Sequence, residues 1–66
     1  MHLQVNGKRQ VVKDAKTLEE LLEELGYERD SVAVAQNGCF IPKQQYAQLM
    51  LKEEMDLEVL VPMQGG

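Results

Sequence analysis

Apolar and polar residues alternate at both ends of the chain and follow a helical period between them. Leu3 and Val5 alternate with polar neighbours and lead into Asn6-Gly7, a strong hairpin signal because both residues tolerate positive φ. The returning strand is expected over Arg9 to Lys13, with Val11 and Val12 its only apolar residues. Two adjacent valines fit either face, so the pairing register there stays open. Thr17 and Glu20 have the spacing of a capping box, in which hydroxyl and carboxylate each satisfy an orphan backbone donor. Leu18, Leu21, Leu22 and Leu25 recur at i, i+3, i+4 and i+7 and mark one face of a helix. Glu19, Glu20, Glu23 and Glu24 take the other face, read as solvated surface, with docking to a basic partner as the alternative. Gly26 is placed to supply the left-handed residue that stops the helix, with Tyr27 folding back as the hydrophobic contact.

Val32-Ala33-Val34-Ala35 reads as a short buried strand ended by a turn at Gln36-Asn37-Gly38. Pro42 keeps Ile41-Pro42 out of any central strand. Lys43 to Gln48 is expected to form one turn of helix, with Tyr46 anchoring it against the core. Leu49 to Leu51 reads as a brief strand and Lys52 to Asp56 as a charged turn. Leu57, Val59, Val61 and Met63 alternate with Glu58, Leu60 and Pro62, which gives a final strand. The order is strand, strand, helix, strand, short strand, strand. One amphipathic helix then covers one face of a mixed sheet, since only that arrangement buries both apolar sides. The expected class is α+β, with one domain over residues 1–63 and a flexible C-terminal tail over 64–66.

Composition narrows the function. A chain of 66 residues buries only ~60% of the surface its unfolded form exposes, too little for a core and a deep catalytic cleft together. A net charge of −4 counts against a nucleic-acid module, which needs a basic face. No apolar run exceeds four residues, whereas a membrane span requires about 20. The single cysteine, Cys39, excludes an internal disulfide and any multi-cysteine metal site. With no signal-peptide pattern at the N-terminus, a cytoplasmic location is expected. His2, the lone histidine, reads as an exposed residue, and Cys39 as a partly buried, inert thiol with no histidine beside it in sequence. No catalytic residue, metal site or bound cofactor is expected.

The remaining candidate is Gly65-Gly66. Without side chains, this pair can enter a channel too narrow for other residues. From Gln64 onward the chain reaches ~10 Å beyond the last strand, at about 3.3 Å per residue. A free α-carboxylate is ionised at neutral pH and is a poor electrophile. An ATP-dependent partner changes that by adenylating it, which makes a mixed anhydride open to a sulfur or amine nucleophile.

These features together resemble the ThiS family, the sulfur carriers of thiamine biosynthesis with the ubiquitin-like β-grasp fold. The likeness runs through Leu3-x-Val5-Asn6-Gly7, Thr17-Leu18-x-x-Leu21-Leu22, Val32-Ala33-Val34-Ala35, Ile41-Pro42-x-x-x-Tyr46 and Pro62-Met63-Gln64-Gly65-Gly66. Gln36 stands where the family usually has asparagine, and Met55-Asp56 where it has a Gly-Asp turn. The resemblance implies a non-catalytic protein that is itself a substrate. An E1-like adenylyltransferase of the ThiF type, using ATP and magnesium, would adenylate Gly66, and a sulfur donor protein would convert it to a thiocarboxylate. A thiazole synthase of the ThiG type would receive the sulfur. Gln64 and Gly65 would thread the partner's active site. Leu60, on the sheet face opposite Leu57, Val59 and Val61, would dock the partner together with Pro62, Met63 and Phe40. A monomer when free is the simplest expectation.

Three other readings share the fold. The small subunit of molybdopterin synthase has the same thiocarboxylate logic, but such chains are usually longer and lack the Pro42-x-x-x-Tyr46 arrangement. A ubiquitin-like modifier would join Gly66 to lysines of other proteins. A plain binding module would keep its function without Gly65-Gly66.

Overall fold

In the computed structural model, which describes residues 1–62, the chain folds as strand, strand, helix, strand, strand, strand. The strands are β1 (His2–Val5), β2 (Lys8–Val11), β3 (Ala33–Gln36), β4 (Cys39–Phe40) and β5 (Asp56–Leu60). The helix α1 spans Leu18–Leu25, and short 3₁₀ turns occupy Arg29–Ser31 and Lys43–Gln45. The five strands form one mixed sheet in the order β2-β1-β5-β3-β4. β1 and β5 run parallel at its centre, and every other pair is antiparallel.

The helix forms as the sequence dictates, and all four of its leading N–H groups find acceptors. Leu18 donates to the Leu49 carbonyl and Glu19 to the Tyr46 carbonyl, both at 3.0 Å. Glu20 donates to the Thr17 hydroxyl at 3.2 Å, while the Glu20 carboxylate accepts from the Thr17 N–H, completing the capping box. Leu21 donates to the Thr17 carbonyl as the first turn closes. At the other end Gly26 adopts φ 88, and the Tyr27 N–H donates back to the Leu22 carbonyl at 2.8 Å, which stops the helix. Leu18, Leu21 and Leu22 are fully buried against Leu3, Val34 and Leu57 of the sheet. Burial of a leucine contributes about 1.5–3 kcal/mol each, before chain entropy is counted.

Several expected boundaries move. β2 starts at Lys8 and ends at Val11, and the two valines divide: Val11 is exposed while Val12, past the strand, is buried. Leu49 to Leu51 forms no strand; Met50 makes a single bridge to Thr17. The short strand lies instead at Cys39–Phe40, because Asn37-Gly38 takes the same two-residue positive-φ turn as Asn6-Gly7. β5 ends at Leu60, and Val61, expected to face the helix, is 59% exposed because the strand has already ended. In the 52–56 turn the left-handed residue is Glu54, at φ 63, while Met55 is buried and Asp56 begins β5. The expected domain boundary at Met63, with Gln64, Gly65 and Gly66 beyond it, lies outside the described residues.

Candidate partner-docking face

β5 presents opposite sides to opposite environments. Leu57 and Val59 are buried under the helix, whereas Asp56, Glu58 and Leu60 point to the uncovered face. Direct cross-strand partners share a face, so the register extends this surface. Leu60 lies opposite Ala33, Glu58 opposite Ala35, and Ala35 opposite Phe40. Leu60 is 49% and Phe40 66% exposed, and the structure brings these two expected docking residues onto one face. Pro62 is exposed just past the end of β5. The expected Met63, Gln64, Gly65 and Gly66 lie outside the described residues.

Tyr46 explains why Ile41-Pro42 is followed by an aromatic four residues later. β4 has only two residues, so β3 loses its neighbour before its own donors are all paired. The Ile41 N–H still donates to the Val34 carbonyl at 2.9 Å, but the chain then leaves the sheet at Pro42. The 3₁₀ turn that follows carries Tyr46 inward, where it is 1% exposed, and its hydroxyl accepts from the Val34 N–H at 3.1 Å. Phe40 stays on the open face through its register with Ala35.

Two of the helix glutamates hold backbone. Glu24 accepts backbone N–H groups from Lys13, Asp14 and Ala15, and Glu20 accepts from Lys16 and Thr17. Two of the four expected surface carboxylates therefore clamp the β2–α1 loop. The backbone bond from Lys16 holds the Glu20 carboxyl below its ordinary value of 4.5, helped by the bond from Thr17. The bond from Lys13 does the same for Glu24, and the bond from His2 for Glu53. The spacing of Thr17 and Glu20 forecast the capping box. Nothing in the sequence forecast Glu24, whose partners are main-chain groups of another element.

The other candidates are plain. Cys39 is exposed, where a partly buried thiol was expected. It pairs with Gln36 on the helix side of the sheet, but β4 is a two-residue edge strand. His2 sits with Nδ1 3.6 Å from a Glu53 oxygen, both partly exposed. Among the described residues, no cluster of histidine, cysteine and carboxylate side chains could hold a metal ion, and no helix is long and apolar enough to cross a membrane.

Comparison with known proteins agrees with this architecture. A thiamine biosynthesis protein (ThiS) from Geobacter metallireducens has a similar crystal structure, with 32% identity, a TM-score of 0.80 and full coverage of both chains. Its solution NMR structure matches with a TM-score of 0.81 at 32% identity, covering all of this chain and 88% of that one. A thiazole synthase from Paramagnetospirillum magneticum is 36% identical over 66 residues, and the chain spans 20% of that protein's length. The profile of the ThiS family matches residues 3–66, from the first strand through the terminal glycines. With this mixed sheet, its single covering helix and these relatives, the chain belongs to the ThiS family of ubiquitin-like β-grasp proteins.

Proposed function

We propose that this chain carries sulfur for thiazole formation in thiamine biosynthesis, as a thiocarboxylate on Gly66, and is a substrate of partner enzymes rather than an enzyme. The observation that carries this reading is the family match over residues 3–66, which takes in Gly65-Gly66. The thiazole synthase relative supports the choice of recipient, since a segment like this chain forms 20% of its length. The exposed Leu60 and Phe40 supply a face on which a partner can dock, with Pro62 and Met63 steering the tail and Gln64 and Gly65 entering the partner's site.

The chemistry follows from the poor electrophilicity of a carboxylate. A Gly66 carboxylate oxygen attacks the α-phosphorus of ATP in an E1-like adenylyltransferase of the ThiF type, and pyrophosphate leaves. Sulfide-level sulfur, from a donor protein whose persulfide is reduced by a thiol, then attacks the acyl carbon and expels AMP. The product is a thiocarboxylate, a softer and stronger nucleophile than the carboxylate. It can attack an electrophilic carbon in the thiazole synthase. The acyl–sulfur bond then breaks as an oxygen replaces sulfur on the Gly66 carbonyl, so sulfur is handed over without release of free sulfide. ATP and magnesium belong to the activating partner.

Intact-mass measurement tests the proposal. Protein purified from cells that also make the activating enzyme is expected to gain mass equal to one oxygen replaced by sulfur, and deletion of Gly66 abolishes the gain. An unchanged mass with active partner, ATP and a sulfur source present overturns it, and conjugates to lysines of other proteins would establish a modifier instead.

A further inference from the structure

β5 leads toward Gly66, and its two flanks are held differently. Toward β3 it is paired from Leu57 to Leu60. Toward β1 the main-chain ladder is shorter: the Gln4 N–H donates to the Met55 carbonyl at 2.8 Å and the Asn6 N–H to the Leu57 carbonyl at 2.9 Å. In a parallel ladder of this step, the Val59 N–H would next donate to the main-chain carbonyl of residue 6. Asn6 sits at φ 55, which turns the chain into Gly7 and away from β5. Its side chain takes over: the Val59 N–H donates to Asn6 Oδ1 at 2.8 Å, in a partly buried contact between residues 53 apart in sequence.

We propose that Asn6 is a positioning residue for sulfur delivery, its side chain prolonging the β1–β5 ladder so that the end of β5 holds one direction where the chain leaves the sheet after Leu60. The proposal rests on the sulfur-carrier reading of Gly66. A strand bonded along one edge can pivot about that edge, whereas one bonded on both keeps its direction. A partner that grips Leu60 and Phe40 must receive the Gly66 carboxylate at a fixed point. Spread in the direction of β5 lowers the fraction of docked complexes in which the carboxylate arrives there. Asn6 acts through Val59 and touches no reacting atom.

The second Asn-Gly turn supplies a matched control. Asn37 and Gly38 have φ 52 and 84, against 55 and 79 for Asn6 and Gly7. Among the described residues, Asn37 makes no side-chain hydrogen bond comparable to that of Asn6. Glycine accepts positive φ at either position. Only Asn6→Gly therefore removes an acceptor from β5.

The test is the rate of thiocarboxylate formation, followed by intact mass, with the activating enzyme, ATP and a sulfide donor. Folding of each variant is confirmed by amide NMR. Asn6→Gly is expected to lower kcat about tenfold with KM little changed, because the docking residues remain. Asn37→Gly is expected to match the wild type. Asn6→Asp is expected to restore the rate, since its carboxylate accepts the same N–H and Asp-Gly supports the same turn. Equal rates for Asn6→Gly and Asn37→Gly overturn the proposal, as does failure of Asn6→Asp to rescue. An Asn6→Gly protein that does not fold also overturns it, in favour of a purely structural role. Failure of the wild type to gain sulfur overturns the carrier reading itself and is visible before any variant is compared.

Discussion

The two faces of this sheet follow different rules. On the helix side, Leu3, Val34 and Leu57 pack against Leu18, Leu21 and Leu22, all with no exposure. Among the described residues, no buried side-chain polar atom lacks a partner. On the open side, Leu60 and Phe40 stand exposed beside Asp56 and Glu58. A single covered face is thus enough to define the fold, and it leaves the open face free to serve a partner. The difference is sharpest in two leucines of equal size. A domain of 66 residues has roughly 3–10 kcal/mol of stability in all. Leu22→Ala, which opens a cavity under the sheet, is expected to cost about 2–5 kcal/mol, a large share of that total. Leu60→Ala is expected to stay within about 0.5 kcal/mol of the wild type and yet slow thiocarboxylate formation. Urea unfolding and the mass assay on both variants check the contrast. A Leu60→Ala protein that unfolds early, or that accepts sulfur at full rate, would remove Leu60 from the docking face.

Tyr46 closes the covered side near the edge of the sheet, where its buried hydroxyl accepts from the Val34 N–H of β3. Tyr46→Phe keeps the ring and strips the acceptor from the buried Val34 N–H. The expected cost is about 1–3 kcal/mol, from one unpaired backbone donor. Urea unfolding reads the loss, and faster exchange of the Val34 amide locates it. A loss no larger than that of a surface substitution would mean that another group takes over the donor.

The covered face was legible in the sequence because burial writes a period. The leucines of α1 and the alternation of β5 each repeat with the geometry of their element. The capping box and the stop at Gly26 depend on local residue chemistry and were legible for that reason. What escaped was set by contacts between distant segments. β4 has two residues, too few for alternation, and only Asn37-Gly38 announces it. The exposure of Cys39 follows from its place on the edge strand, which no local pattern encodes. Glu24 and Asn6 bond main-chain groups 9–11 and 53 residues away respectively, so their neighbours in sequence give no hint. The open-face position of Leu60 was read from strand parity, and parity held up to Leu60 and failed at Val61, where the strand had already ended.

Acid tests the carboxylates that hold backbone N–H groups. Glu20, Glu24 and Glu53 have folded-state pKa values held below 4.5 by backbone N–H donors. A carboxyl with a depressed folded pKa stabilises the protein above its unfolded value, and that contribution fades as pH falls through the folded one. Urea midpoints are therefore expected to be flat above about pH 5 and to decline below the ordinary 4.5. Glu24→Gln removes one titrating clamp, so its decline should be shallower and its midpoint at neutral pH lower. Parallel curves for the two proteins would show that the bonds from Lys13, Asp14 and Ala15 to Glu24 contribute nothing to folding.

The smallest effect isolates backbone strain at Glu54, where φ is 63. A residue with a Cβ in the left-handed region costs roughly 1–2 kcal/mol, which glycine avoids. Glu54 also holds Arg9 at 2.8 Å, in an ion pair with both side chains more than half exposed. Exposed pairs contribute about 0.2–1 kcal/mol, so a single substitution would confuse the two effects. Glu54→Ala and Glu54→Gly lose the pair equally, and only the second relieves the strain. Glycine also enlarges the conformational freedom of the unfolded chain, which offsets about 0.4–1 kcal/mol of the gain. Glu54→Gly is thus expected to be more stable than Glu54→Ala by about 0.5–1 kcal/mol in thermal or urea unfolding. Equal stabilities would mean that the turn relaxes once the Arg9 pair is gone. The left-handed conformation of Glu54 would then be a consequence of that ion pair rather than a demand of the chain entering β5.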